Sequence, residues 1–253
     1  MARLSVVILT LNEEKHLADC LASVGTNDEV LVVDSGSTDR TWVIAHDAGA
    51  RVEVRPFENF ADQRNAALGM ARGDWVLFVD ADERLTPELR MEISQLLAGD
   101  PVAAGFRIPR QNYIFGAWVK HTGWYPDYQL RLMRRGAARY DPARPVHETV
   151  VLDGDADTLK GHLTHINYES LSEFVRKQKI YAQIEAEGLV GRSAHRRLRS
   201  VVFQPLREFY RRYVSLSGFR DGWRGLVLSV LMAWYTLEVH RVAWQTKRAD
   251  QPT

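Results

Sequence analysis

Leu4 to Thr10 (LSVVILT) is an uncharged run, mostly β-branched or aliphatic. Glu29 to Asp34 (EVLVVD) and Trp75 to Asp80 (WVLFVD) repeat this pattern and end on a carboxylate. Continuous apolar runs of this length, in place of strict alternation, predict strands buried on both faces. Arg51 to Val54 predicts a shorter strand. The segments between them change period. Leu17, Leu21 and Val24 recur at helical spacing and predict a helix over 13–24. Ser37 reads as the cap of a helix running to about Ala48 and closed by Gly49. Phe60 to Ala71 predicts a third helix, and Thr86-Pro87 opens a fourth in the favoured order of cap, then Pro. Strand and helix thus alternate four times in the first hundred residues, which predicts a mostly parallel central sheet flanked by helices. After Asp100 the pattern gives short strands and loops over 104–167, rich in Arg, Tyr, Trp and His. From Leu171 onward it is helical, and Pro205 is expected to end one helix and begin another.

Composition changes this picture in two respects. The 253 residues are 45% hydrophobic, enough for one large domain with a helical appendage. The net charge of +1 hides an asymmetry: residues 171–253 hold 15 Lys/Arg against 7 Asp/Glu, and residues 1–170 hold 18 against 25. An acidic front suits a metal, and a basic back suits the phosphates of a lipid, an acceptor or a nucleic acid. The single cysteine, Cys20, excludes an internal disulfide and reads as a packed core residue. Met1-Ala2-Arg3 leads straight into the first strand, which is unlike a signal peptide.

Ligands of open α/β sheets bind at the carboxyl ends of the strands. Asp80-Ala81-Asp82 stands at such an end. In an extended segment residues i and i+2 share a side, so both carboxylates can converge on one hard cation, Mg²⁺ or Mn²⁺, bridging a diphosphate. A solvated acidic turn is the plainer reading of the same residues. Asp34-Ser35-Gly36-Ser37-Thr38-Asp39 ends the second strand in a small polar loop that a ligand can approach closely. An ordinary capped turn would explain Gly36 and Ser37 as well, but not an acid at the strand end.

SVVILTLNEE, VVDSGSTD and QRNAALGMARGDWVLFVDADE, in this order and spacing, resemble the nucleotide-sugar-binding half of inverting family-2 glycosyltransferases of the GT-A fold. GWYPDYQLRLMRR, RPVHE and FRDGWRGLVLSVL resemble the bacterial subfamily that adds β-linked glucose to the heptose of the lipopolysaccharide inner core. The resemblance implies a Rossmann-like GT-A domain with a nucleotide-sugar half over 1–100 and an acceptor half over 101–168. A basic, amphipathic helical region over 169–253 would follow it. It implies that Thr10, Asn12, Glu13, Asp34, Ser35, Arg64, Asn65 and Asp80 line the donor, with Arg64 near phosphate. Asp82 would be the firmest metal ligand, with Asp80 beside it. Ser35 stands where the family often has a second acid.

Inversion needs a base on the acceptor hydroxyl. The family's carboxylate position matches Asp127, with Glu148 and Asp141 as rivals, and Pro126 replaces the usual neighbouring acid. Gln129 and Arg131 share a face of an extended segment and resemble a motif lining the acceptor or diphosphate. His147 is a candidate third metal ligand, and Glu148 and Trp124 are candidate acceptor contacts. Trp118 and Tyr125, like Trp124, can stack on sugar rings or pack in a core.

Leu198, Val202, Leu206, Phe209, Tyr213 and Leu216 form an apolar stripe among arginines. Gly225 to Leu237 is uncharged for 13 residues, too short to span a bilayer but suited to its interface. Helices docked on the protein core, with the arginines as a solvated face, would show the same pattern. Together with the lipid acceptor that the resemblance implies, it predicts peripheral or monotopic attachment to an anionic membrane, at the cytoplasmic face of the bacterial inner membrane. The implied partners are a nucleotide-diphosphate sugar and a lipopolysaccharide core or other lipid-linked saccharide, with no nucleic acid. A nucleotidyltransferase would carry a Gly-rich basic loop where this chain has Leu11-Asn12-Glu13-Glu14. An Asp-nucleophile phosphatase would place its D-x-D after the first strand. A nucleic-acid binder would use the arginines of 192–212 and bind no nucleotide sugar.

Overall fold

Strand β1 (Leu4–Thr10) is paired at both edges and packed on both faces, which is why its sequence is mostly apolar: Val6, Val7 and Ile8 are fully buried. The computed structural model describes residues 3–25, 27–141, 150–190 and 198–249. After β1 come α1 (Leu17–Val24), β2 (Glu29–Asp34), α2 (Thr41–Asp47), β3 (Arg51–Val54), α3 (Phe60–Met70) and β4 (Trp75–Asp80). Next are β5 (Glu83–Leu85), α4 (Pro87–Ala98), β6 (Gly105–Ile114), β7 (Ala117–Trp118) and β8 (Asp127–Arg134). The strands β9 (Ala138–Tyr140), β10 (Val150–Leu152), β11 (Ala156–Thr158) and β12 (Leu163–Tyr168) precede the helices α5 (Leu171–Val190), α6 (Leu198–Tyr210) and α7 (Gly222–Ala249).

The chain divides into two compact units. One comprises 1–111 with 127–165, the other 112–126 with 166–253, so the segment 101–168 is shared between them. The main sheet runs β3-β2-β1-β4-β8-β6-β12-β5. Its first four strands are parallel, as the alternation predicts, while β8 pairs antiparallel with both β4 and β6. Alternate residues of the parallel strands feed two cores. Val6, Ile8, Val32, Leu77 and Val79 pack with Leu17 and Cys20 of α1 and Leu89 and Ile93 of α4. Val7, Leu31, Val33, Val76 and Phe78 pack with Ala61, Ala67 and Leu68 of α3. Cys20 is buried as expected, and burial pushes its thiol well above the ordinary range, so it is a packing group.

Two helix starts differ from the sequence expectation. Helix α1 begins at Leu17 after a turn over 13–16, and α2 begins at Thr41. Ser37 does not cap α2 because its hydroxyl already donates to Asp34 Oδ1 and accepts from the Asn12 amide.

In the second unit Ile114, Val119, Tyr168, Phe174 and Leu228 form the core, and α7 packs on both α5 and α6. Pro205 lies inside α6 instead of ending it, because packing along α7 offsets the one backbone hydrogen bond that proline removes. A π-helical turn, Arg211–Ser215, follows and changes the angular register of the helix. The apolar stripe is consequently divided. Phe209, Tyr213 and Leu216 are half-buried, while Leu206 faces outward with Phe203, Tyr210 and Val214. The FRDGWRG segment is a close crossing: a Cβ on Gly225 would stand 1.8 Å from the Gly218 carbonyl oxygen. Its Asp221 accepts from the amides of Lys120 and His121 and from the Thr122 hydroxyl, fixing that loop. The uncharged stretch from Gly225 is only the middle of α7. The wider segment Gly218–Gln245 is long and apolar enough to cross a membrane by length and composition.

Candidate active site

Thr10 and Asp34 are register partners at the ends of β1 and β2. Asp34 is buried, and its carboxylate accepts from the Thr10 hydroxyl at 3.0 Å and from the Gly36 and Ser37 amides at 3.1 and 2.8 Å. It therefore shapes the 35–38 loop into a rigid polar rim. Asn12, in the left-handed region (φ 55°) where Asn is tolerated, accepts the Thr38 amide at 2.8 Å. The Glu13 amide donates to the Thr41 hydroxyl at 2.7 Å. Ser35 accepts from the buried Gln63 amide at 3.3 Å. The first five expected donor residues are thus gathered at adjacent strand ends, with much of their polarity used in building the loops.

Asp80 and Asp82 are in contrasting states. The Arg131 guanidinium forks onto both oxygens of Asp80, one arm at 3.1 Å, and Arg64 adds a bond at 3.2 Å. Burial alone would raise the Asp80 carboxyl. Arg131 and Arg64 prevail and hold it far below the usual carboxylate range. Arg64 also lies over the rings of Phe78 and Tyr140 at 5.1 and 5.6 Å. Asp82 stands outside this pairing and faces His165 Nε2 at 3.4 Å. His165 is brought there by the β5–β12 register, in which it opposes Glu83.

The structure redistributes several other expected roles. Asn65 is committed to the backbone of Tyr140, donating at 2.9 Å and accepting at 2.8 Å, so it pins β9. Arg131 is buried on Asp80 and Glu83, so its fork holds carboxylates in place of the expected phosphate. Gln129 donates to Asp127 Oδ1 at 2.7 Å and so orients the candidate base. Arg110 grips the other Asp127 oxygen at 2.7 and 2.8 Å. Trp124, in the second unit, packs at its core and meets Tyr168 edge-on, and Trp118 meets Tyr125 likewise. His147 and Glu148 lie outside the described residues.

Glu83 falls within the strand-end segment that the sequence marks as informative, but with no role of its own, and it is fully buried. Two further residues of this site, Arg110 and His165, were not singled out in the sequence. They sit in strands whose pairing the sequence does not specify. Among the described residues no three metal-binding side chains converge. Asp82 and His165, an oxygen and an imidazole ligand, fit a divalent cation that takes its remaining ligands from diphosphate and water.

The sequence profile described as Glycosyl transferase family 2 matches residues 5–146. Over 91% of its length the chain is 33% identical to the lipopolysaccharide core biosynthesis glycosyltransferase LpsC of Rhizobium meliloti, covering 90% of that protein. It is 31% identical to an uncharacterized glycosyltransferase of Rickettsia typhi over 92% of the chain and 84% of the relative. The crystal structure of S. aureus TarS 1-349 superposes with a TM-score of 0.50 at 18% identity, covering 99% of this chain and 93% of that one. The fold is that of the GT-A glycosyltransferases.

Proposed function

Since this chain belongs to glycosyl transferase family 2 and is a glycosyltransferase, we propose that it moves glucose from UDP-glucose, with inversion, onto a heptose of the lipopolysaccharide inner core. The observation that carries the reading is the pairing of Asp82 with His165 at the end of β4, beside an Asp80 already neutralised by arginine. Likeness to LpsC along nearly the whole chain supports the acceptor class. A TarS 1-349 crystal structure in complex with UDP, similar to this chain in fold, fits a uridine nucleotide.

In this reading the loops of Thr10, Asn12 and Asp34 receive the nucleotide, and Asp80 with Arg64 borders it. Asp82 and His165 would hold a divalent cation, which when bound offsets the charge of the leaving diphosphate. Asp127, aimed by Arg110 and Gln129, takes the proton of the acceptor hydroxyl as that oxygen attacks the anomeric carbon and UDP departs from the opposite face. Attachment is peripheral, at the cytoplasmic face of the inner membrane. Helix α7 is flanked by α5, which carries Lys177, Lys179 and Glu185, and a helix so partnered suits the interface better than the hydrocarbon.

The test is UDP release from UDP-glucose with Mn²⁺ and core-truncated lipopolysaccharide, products read by mass spectrometry. Asp82→Ala is expected to keep the fold and lose turnover. A folded Asp82→Ala protein with near-normal turnover would refute the cation site.

A further inference from the structure

Six charged side chains of the first unit form one continuous chain: Arg64, Asp80, Arg131, Glu83, Arg110 and Asp127. Three arginines face three carboxylates, so the chain is neutral. Its middle is sealed, with Glu83 fully buried and the Arg131 side chain 6% exposed, while the two outer carboxylates are more open, Asp80 at 32% and Asp127 at 24%. Glu83 Oε1 accepts from Arg131 at 3.0 Å and from Arg110 at 3.2 Å. Its Oε2 accepts the Asp80 amide at 3.0 Å, which ties it to the turn that carries the D-A-D.

A buried ion chain is a poor source of stability, because desolvation offsets the attraction and apolar residues of equal volume often do as well. A purely structural plug would have no need of accessible carboxylates. Here Asp80 is held by Arg131 as well as Arg64, Asp127 is held by Arg110, and Arg131 and Arg110 are both held by the same buried acid. A guanidinium fork reaches two acceptors along a fixed plane, which suits it to this bridging.

We propose that Glu83 is a positioning residue that seats Arg110 on Asp127 and Arg131 on Asp80, so that both open carboxylates are aimed from one buried anchor. The assignment of these carboxylates to acceptor and donor rests on the function proposed above. Glu83 itself touches neither substrate. Freed of Glu83, Arg110 loses the contact that fixes its plane, and Asp127 loses its aim although the residue itself is intact.

The experiment is the titration of Asp127 in the full chain, by carbon NMR with carboxyl-labelled aspartate, the resonance assigned from its absence in Asp127→Asn. Arg110→Gln is expected to raise the midpoint by about one pH unit or more, since an adjacent cation favours the carboxylate. In a Glu83→Gln background the same change is expected to shift it by less than half as much, because the guanidinium is no longer seated. Equal shifts in the two backgrounds would overturn the proposal. Should Glu83→Gln not fold, Arg110→Lys decides: an ammonium lacks the fork, so the midpoint should rise, and a midpoint unchanged from wild type overturns the proposal. A fully active Asp127→Asn protein would remove the base reading alone, so the two failures are distinguishable.

Discussion

Asp80 and Asp82 are the same residue type two positions apart, yet their neighbours give them different work. Asp80 is bound by two arginines and Asp82 by one histidine. The two-armed fork of Arg131 holds Asp80 more strongly than the single bond from Arg64, and its removal leaves Asp80 and the buried Glu83 short of a counter-charge. Arg131→Met is expected to cost about 3–5 kcal/mol at neutral pH, the range for a buried pair broken on one side. The sign with pH follows from the depressed Asp80 carboxyl. Its contribution is present above the ordinary carboxylate range and is lost only as pH falls through the much lower folded value. Arg131→Met should therefore unfold at a higher pH on acidification than wild type. Urea denaturation at pH 7 and an acid titration followed by circular dichroism check both. Equal stability at pH 7 would mean that Asp80 and Glu83 are compensated without Arg131.

At the scale of elements, the crossing of Gly225 in α7 over Gly218 leads to an expectation opposite to helix propensity. Alanine is favoured over glycine inside a helix by about 1 kcal/mol. Here a Cβ would lie 1.8 Å from a backbone oxygen, so α7 must shift. Gly225→Ala is expected to destabilise by roughly 2 kcal/mol or more, in the manner of an overpacked core. A denaturation midpoint equal to or above wild type would exclude the close approach. The Asp221 ties to residues 120–122 depend on the same crossing, so this variant should also loosen that loop, with faster exchange of the Lys120 and His121 amides.

At the scale of the whole molecule, the positive charge of residues 171–253 coincides with outward apolar side chains. Phe203, Leu206 and Tyr210 on α6, and Trp223, Leu226 and Val230 on α7, are 43–64% exposed. Arginines near an anionic surface contribute roughly 1 kcal/mol each and fade with salt, whereas buried apolar side chains add a part that salt does not weaken. The chain is expected to co-sediment with vesicles containing anionic lipid at low salt and partly at high salt. Replacing Phe203, Leu206 and Trp223 by Glu should abolish the high-salt fraction. Truncation before α6 is a poorer test, since it removes Leu228 from the unit's core. A wild-type chain left in the supernatant at both salts would exclude this face as a membrane surface.

The sequence by itself determined the parallel half of the sheet, because a buried strand must be apolar on both faces and β1, β2 and β4 announce themselves by that. It also determined the places of Asp34, Asp80 and Asp82, since a charge ending such a run must sit at a strand end. Local signals were overruled wherever a distant partner competed. Ser37 serves Asp34 instead of a helix, Pro205 is carried within α6 by α7, and Asn65 answers the backbone of a strand 75 residues away. Arg110 and His165, and the role of Glu83, were illegible for a related reason. Their meaning lies in antiparallel pairings of β5, β6, β8 and β12, whose order no local pattern encodes. Only the tertiary structure, by placing buried charges within hydrogen-bonding reach across those strands, decided which acids are neutralised and which one remains beside a histidine.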